Sequence, residues 1–198
     1  MDEDENILYL VASGDGSSVG YGSTIHLISE NKTGLKRSRL IRAANKIRDD
    51  TAPMNELNSL FLAGKLLLQT VMSLNALLPI DIFNSINYYV LSDSQSTCLQ
   101  LLNKSKPGVH LTLTKKVERI FDTIEKNFDI INSKSSIKFV WVNSQYNPSD
   151  INSKMCTDFT QSKLWLHGPP FFLDSLKLES KVWFNFNKGN FQKNSEFT

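Results

Sequence analysis

Val90-Leu91-Ser92-Asp93-Ser94-Gln95 joins the end of a strand to the start of a helix through an acid. It continues Ile86-Asn87-Tyr88-Tyr89, so an apolar and aromatic run of strand type stops abruptly at Asp93. From Ser94 to Leu102 the spacing of Cys98, Leu101 and Leu102 predicts a helix. A carboxylate at the C-terminal end of a parallel strand stands where open α/β sheets place their ligands. The same residues also fit a plain helix start, with Asp93 or Ser94 as the cap. Three further acids in comparable settings bear on that choice.

Toward the N-terminus, Ile7 to Ala12 is a run of strand type that enters Ser13-Gly14-Asp15-Gly16-Ser17-Ser18, a tight-turn composition. Val19 to Ser29 is strand-like again, so the pair reads as an antiparallel hairpin. Leu35 to Ile47 is a third strand. It and its end carry Lys36, Arg37, Arg39, Arg42, Lys46 and Arg48, a solvated face in preference to a phosphate-contacting patch. Asp49-Asp50-Thr51-Ala52-Pro53 ends that strand and opens a helix, with Thr51 as cap and Pro53 in its first turn. Leu57, Leu60, Phe61, Gly64, Leu67, Leu68 and Val71 mark its buried side, and it ends before Pro79. Glu56 sits near its start, where the helix dipole alone favours an acid.

Toward the C-terminus, Asn103-Lys104-Ser105-Lys106-Pro107-Gly108 has loop composition. A second amphipathic helix follows, with Val117, Ile120, Phe121, Ile124 and Phe128 on one face. Its Lys115, Lys116 and Arg119 are diluted by Glu118, Asp122 and Glu125, so it reads as a solvated face. Ile137 to Val142 is a buried strand, and Asn147-Pro148-Ser149-Asp150 opens a short helix through Lys154. The helix dipole again explains Asp150 without any chemistry. Leu164-Trp165-Leu166-His167-Gly168-Pro169-Pro170-Phe171-Phe172 is too aromatic for a linker and should pack back on the domain. We therefore expect a domain over 1–155, a packed aromatic extension over 156–187 and a flexible polar tail over 188–198.

The chain has 198 residues, 40% of them hydrophobic, and a net charge of +2, which names no partner. Two cysteines, Cys98 and Cys156, exclude a disulfide framework or a zinc site of their own and point to a reducing compartment. Met1-Asp2-Glu3-Asp4-Glu5 is acidic where a secretory signal is basic, and the apolar runs are interrupted before membrane length. The expectation is a soluble protein with no membrane partner.

The element order is β-β-β-α-β-α-(α)-β-α, which implies an α/β fold with a mixed five-stranded sheet flanked by helices. Its first, fourth and fifth strands should be parallel and adjacent. Asp15 and Asp93 then meet at one end of the sheet. Glu56 can reach them from a helix packed on the sheet, and Asp150 from the helix after the last strand. Four converging carboxylates repel one another and raise each other's pKa, so they persist at low cost only by holding cations. Oxygen-only ligation suits Mg²⁺ or Mn²⁺. Two such ions about 3.5–4 Å apart clamp the attacking and leaving oxygens in phosphoryl transfer.

Gly14-Asp15-Gly16-Ser17 with Gly20-Tyr21-Gly22 resembles the first motif of ribonuclease H-like nucleases. Pro53-Met54-Asn55-Glu56-Leu57 resembles their helix motif, Ser92-Asp93-Ser94-Gln95 the third and Asn147-Pro148-Ser149-Asp150 the fourth. The closer resemblance is to the ribonuclease H region of BEL/Pao-type LTR retrotransposon polyproteins, through Trp141 to Asp150 and Leu164 to Pro169. It runs in order from Leu8 to Leu173. It implies a ribonuclease H-like sheet of order 3-2-1-4-5 and a metal-dependent endonuclease that cuts the RNA strand of an RNA–DNA hybrid. Asp15 would bridge both metals, Asp150 would help hold the metal that activates water, and Glu56 and Asp93 would hold the second. Ser17, Ser94, Gln95 and Asn147 are the substrate-contacting candidates. Partners would be the hybrid and the reverse transcriptase and integrase regions of the same polyprotein, in a cytoplasmic retroelement particle or the nucleus.

The chain departs from the family pattern in two respects, and one is that the helix carrying Lys115, Lys116 and Arg119 is not an obvious basic substrate handle. Many ribonucleases H carry a His in the loop before the last Asp, and His26, His110 and His167 all lie outside Val142 to Pro148. Three rivals stand against the nuclease. A catalytically inactive scaffold or nucleic-acid-binding domain need not keep all four acids. A peptidase, a label sometimes given to this region, needs an Asp-Thr/Ser-Gly triplet that the chain lacks. An integrase-type strand-transfer fold uses three acids, and Glu56 with the Gly-Tyr-Gly hairpin fits ribonuclease H better.

Overall fold

Both faces of the central strands are buried, which is why they read as unbroken apolar runs. In the computed structural model, which describes residues 7–103, 111–127, 136–154, 162–187 and 189–193, Leu10 and Ala12 point to one core while Tyr9 and Val11 point to the other. The loop at 104–108, Phe128, His110 and Cys156 fall outside the described residues.

Strand β1 (Ile7–Gly16) pairs antiparallel with β2 (Gly20–Glu30), and β2 pairs antiparallel with β3 (Lys36–Ile47). The Gly-rich segment belongs to β1 as far as Gly16, and the turn is confined to Ser17–Val19, where Ser17 N donates to Gly20 O at 2.8 Å. Between β2 and β3 the chain turns at Gly34, whose φ of 78° lies in the left-handed region. Helix α1 (Ala52–Asn75) and a short α2 (Ile80–Asn84) lead to β4 (Asn87–Ser92), which lies parallel to β1. Helices α3 (Gln95–Leu102) and α4 (Leu111–Asn127) cross back to β5 (Ile137–Trp141), parallel to β4. A 3₁₀ turn at Ser144–Tyr146 precedes α5 (Asp150–Ser153). The five strands thus take the order 3-2-1-4-5, with strands 1, 4 and 5 parallel and adjacent, as expected.

The C-terminal region adds strands to the expected sheet. Beyond α6 (Lys163–His167), a 3₁₀ turn at Pro170–Leu173 and α7 (Ser175–Glu179), the chain returns as β6 (Val182–Asn187) and β7 (Asn190–Lys193). The sheet has seven strands, because β6 pairs with β5 and β7 with β6, both antiparallel. The extension therefore joins the sheet, with Asn190 to Lys193 paired to β6. The signal was present: Val182, Phe184 and Phe186 alternate with Trp183 and Asn185, and the alternate set is buried.

Two cores follow from the alternation. On one face, α1 and α4 cover Leu10, Ile25, Val90 and Phe139 with Leu57, Leu60, Leu67, Val71, Val117, Phe121 and Ile124. Phe61 and Leu68 are only partly buried, while Leu62, Ala63 and Leu66 join the core, so α1 is enclosed on more than one side. By length and composition α1 would pass for a membrane-crossing helix, contrary to expectation, but most of its apolar window is spent inside the fold. On the other face, Tyr9, Val11, Ile28, Tyr89, Leu91 and Val140 are covered by Phe171, Phe172, Leu178 and Val182 of the extension. Trp165 is half-buried; its carbonyl accepts from His26 Nε2 at 2.9 Å and its indole N–H donates to Asn152 Oδ1 at 3.1 Å. Burial pushes His26 down to about 4, so it is a neutral tie between β2 and the extension.

Candidate active site

Asp15 stands at the end of β1, and Ser13 pairs with Leu91 of β4 two residues earlier, so the parallel register carries Asp15 and Asp93 side by side. Glu56 comes down from α1. It is the fifth residue of that helix, beyond the first turn, where the dipole no longer accounts for an acid. One carboxylate oxygen from each of Asp15, Glu56 and Asp93 lies within 4.8 Å of the others.

Close packing, not turn geometry, explains the glycines. A Cβ on Gly16 would collide with the backbone of Asn55 and Glu56, and one on Gly22 with Asn152. Helix α1 is thus seated directly on the end of β1, and α5 on β2. Asn55 fastens the first contact: fully buried, it donates to Ser17 O at 2.8 Å and to Arg48 O at 3.3 Å. Thr51 occupies the cap position of α1, but its hydroxyl makes no capping bond. The buried Asn55 takes over the anchoring.

Each acid has its own surroundings. Asp15 is buried and accepts from the Ser153 hydroxyl. Burial, then the nearby Asp93, raises Asp15 to about 7, against the lowering effect of Ser153. Burial, then Asp15 and Asp93, raises Glu56 to about 9, and its Oε2 is buried without a partner. Asp93 Oδ1 accepts from Asn147 Nδ2 at 2.9 Å, and its carbonyl accepts from Trp141 Nε1 at 3.0 Å. Asp150 does not join the group. Its Oδ2 is held by Lys154 Nζ at 2.7 Å, one turn along α5, although its charge still reaches Asp15. Within 4.8 Å the structure gathers three of the four acids, Asp15, Glu56 and Asp93.

No protein-family model matches the chain, and no curated protein matches it. Among solved structures it is similar to the ribonuclease H1 designated LC11, crystallised in complex with an RNA/DNA hybrid, at 15% identity over 78% of this chain and 99% of that one, with a TM-score of 0.44. It is similar to the N-terminal ribonuclease H domain of Rv2228c from Mycobacterium tuberculosis at 14% identity, covering 76% and 93%, with a TM-score of 0.41. It is also similar to the prototype foamy virus protease–reverse transcriptase at 14% identity, covering 81% of this chain and 21% of that one, with a TM-score of 0.36. The chemistry of the site rests on its own residues.

The four substrate-contacting candidates differ in their surroundings. Asn147 spends its whole amide inside the protein: Nδ2 donates to Gly14 O and Asp93 Oδ1, both at 2.9 Å, and Oδ1 accepts from Ser149 N at 3.1 Å. Ser17 donates to Ser153 O at 2.8 Å, and Ser94 caps α3 by accepting from Thr97 N at 3.3 Å. Only Gln95 presents an exposed side chain. The sequence reasoning missed Asn55, Ser149 and Ser153. Ser149 donates to Ser13 O at 2.9 Å and Ser153 reaches Asp15, so the two serines fasten α5 to β1. Their spacing of four residues, one helical turn, was the available signal. Cys98 is free and buried, and burial pushes its thiol up to about 12, so it is no nucleophile at neutral pH.

Proposed function

We propose that the chain is a metal-dependent endonuclease that hydrolyses the RNA strand of RNA–DNA hybrids. The observation that carries this is the convergence of Asp15, Glu56 and Asp93 within 4.8 Å at the C-terminal ends of two parallel strands. The residues fit a divalent cation. All three donors are oxygens; among the described residues none is paired with a Lys or Arg, and Glu56 Oε2 is buried without a hydrogen-bond partner. Burying such a group unsatisfied is expensive, and a cation relieves it. Bound divalent cations supply the positive charge that stabilises the charge developing on a scissile phosphodiester.

The chain's own residues do the rest. Asp15, Glu56 and Asp93 hold the cations. Asn147 fixes the rotation of the Asp93 carboxylate, and Ser153 that of Asp15. Gln95, exposed beside Asp93, is placed to contact the substrate backbone. Asp150 completes the set by resemblance to the fourth ribonuclease H motif. The ordered motifs from Leu8 to Leu173 support a BEL/Pao-type retroelement origin, with reverse transcriptase and integrase regions as partners and a cytoplasmic particle or the nucleus as the setting.

The Asp150–Lys154 ion pair favours a second reading, an inactive scaffold or nucleic-acid-binding domain, because it occupies the fourth acid. Asp93→Asn separates the two. It keeps shape and removes charge, so Mg²⁺ or Mn²⁺ binding should weaken and hybrid cleavage should fall by orders of magnitude while folding is unharmed. The assay uses low salt and excess protein, with each metal tested separately. Absence of metal-dependent cleavage by the unmutated chain, or equal cleavage by Asp93→Asn, moves the assignment to the scaffold.

A further inference from the structure

Three clefts run together across the C-terminal extension. The first, about 720 Å³, lies between β3 and the segment carrying α6; Lys36, Arg37, Arg39 and Lys163 line it and, among the described residues, no acid does. The second, about 290 Å³, shares Tyr146 and Pro170 with the first and adds Lys177 and Lys181. Its one acid, Asp174, is tied to Lys177 at 3.3 Å. The third, about 420 Å³, shares Lys181 with the second and is lined by Trp141, Trp183 and Gln95. Trp141 donates to the Asp93 carbonyl at 3.0 Å, so this end of the path adjoins the acidic cluster.

Two properties of the path point to a ligand. Three cations on it lack acid partners: among the described residues, neither Arg37 nor Lys163 has an ion pair, and Arg39 is bonded to His167 Nδ1 at 3.0 Å and Ser38 O at 3.1 Å, whereas Lys36 is paired with Glu30 at 3.4 Å. Flat rings stand open along it, with Tyr146 40% and Trp141 36% exposed. Cations alone would suit any polyanion. The rings decide for unpaired bases, which offer their faces to aromatic side chains, whereas bases inside a duplex do not. An acidic peptide would match the cations and leave the rings unused.

We propose that these clefts form a track for single-stranded nucleic acid leading away from the acidic site, built by the extension that supplies Lys163, Lys177, Lys181 and Trp183. Phosphates lie along Arg37, Arg39 and Lys163, and bases stack on Tyr146, Trp141 and Trp183. The track adds to the proposed hydrolysis and takes from that reading only the class of partner.

The test uses the full chain in chelator, with a labelled unpaired oligonucleotide of about 15 nucleotides. Binding should be salt-dependent and should quench tryptophan fluorescence. The exposed pair Arg37→Glu with Lys163→Glu should weaken it about tenfold and flatten the salt slope by about 1.4, two single-strand phosphate contacts. Tyr146→Ala should weaken it about tenfold with the slope unchanged, a signature of lost stacking that keeps the proposal testable should the charge-reversed protein fail to fold. Absence of quenching, indifference to these substitutions, equal affinity for a duplex, or equal displacement by polyglutamate would overturn the track. Hybrid cleavage, measured separately with Asp93→Asn, distinguishes the failures. Loss of single-strand binding with cleavage intact removes the track alone, and binding without cleavage removes the hydrolytic reading alone.

Discussion

Asn147 and Asp93 meet across 54 residues of chain, with Asn147 Nδ2 donating to Asp93 Oδ1 at 2.9 Å. The same amide nitrogen reaches Gly14 O, so one buried side chain ties the ends of β1 and β4 to the segment before α5. It is the reason Asp93 faces Asp15 and Glu56 instead of solvent.

Asn147→Ala should therefore affect metal and fold together. Removing the amide leaves the buried Gly14 carbonyl without this donor, at about 1–3 kcal/mol. Divalent-ion affinity should drop about 10–100-fold, as when a supporting contact to a metal ligand is removed. Calorimetric titration with Mn²⁺ beside urea unfolding measures both, and an unchanged affinity would show that Asp93 keeps its orientation unaided.

The metal-free protein should lose stability as pH rises. Burial holds Glu56 at about 9 against an ordinary 4.5, and Asp15 at about 7 against 3.8. Between those limits the folded chain keeps protons that the unfolded chain has released, so the contribution is complete below the ordinary values and is lost steadily above them, fully gone for Asp15 once pH exceeds about 7 and for Glu56 once it exceeds about 9. Glu56→Gln cannot ionise and should give the flatter profile in chelator. Added Mg²⁺ should reverse the trend at the alkaline end by binding the ionised cluster. A difference between the two proteins that does not change with pH would sink this account.

Gly16→Ala should unseat α1. The new methyl would run into the Asn55 and Glu56 backbone, which cannot swing away as a side chain can. Overpacking of this kind costs about 1–3 kcal/mol, and Glu56 would be displaced from Asp15 and Asp93. A melting temperature and Mn²⁺ affinity equal to the parent's would mean that the helix has slack there.

Truncation after Lys154 should make the protein aggregate. It removes Phe171, Phe172, Leu178 and Val182 from the second core and strips β6 from β5, leaving an open apolar edge. Light scattering and thermal unfolding of the truncated chain report the outcome. A soluble fragment with the parent's melting temperature would show that the first five strands stand alone.

Much of this protein was legible in the residues themselves. Period-two and helical spacing placed the strands and long helices, and the short Gly-rich link with two crossovers set strands 1, 4 and 5 parallel and adjacent, because handedness and short connections leave few alternatives, while the full order 3-2-1-4-5 followed from the ribonuclease H resemblance. Asp15, Glu56 and Asp93 stood out as acids ending apolar runs or seated near a helix start. What side chains do to each other across the chain was not legible. Spacing does not disclose that Gly16 serves close approach rather than a turn, that Lys154 takes Asp150, or that Asn147 spends its amide on Asp93. Those outcomes depend on distances between segments far apart in sequence, and competition for a buried hydrogen bond is settled only once the sheet has brought the competitors together.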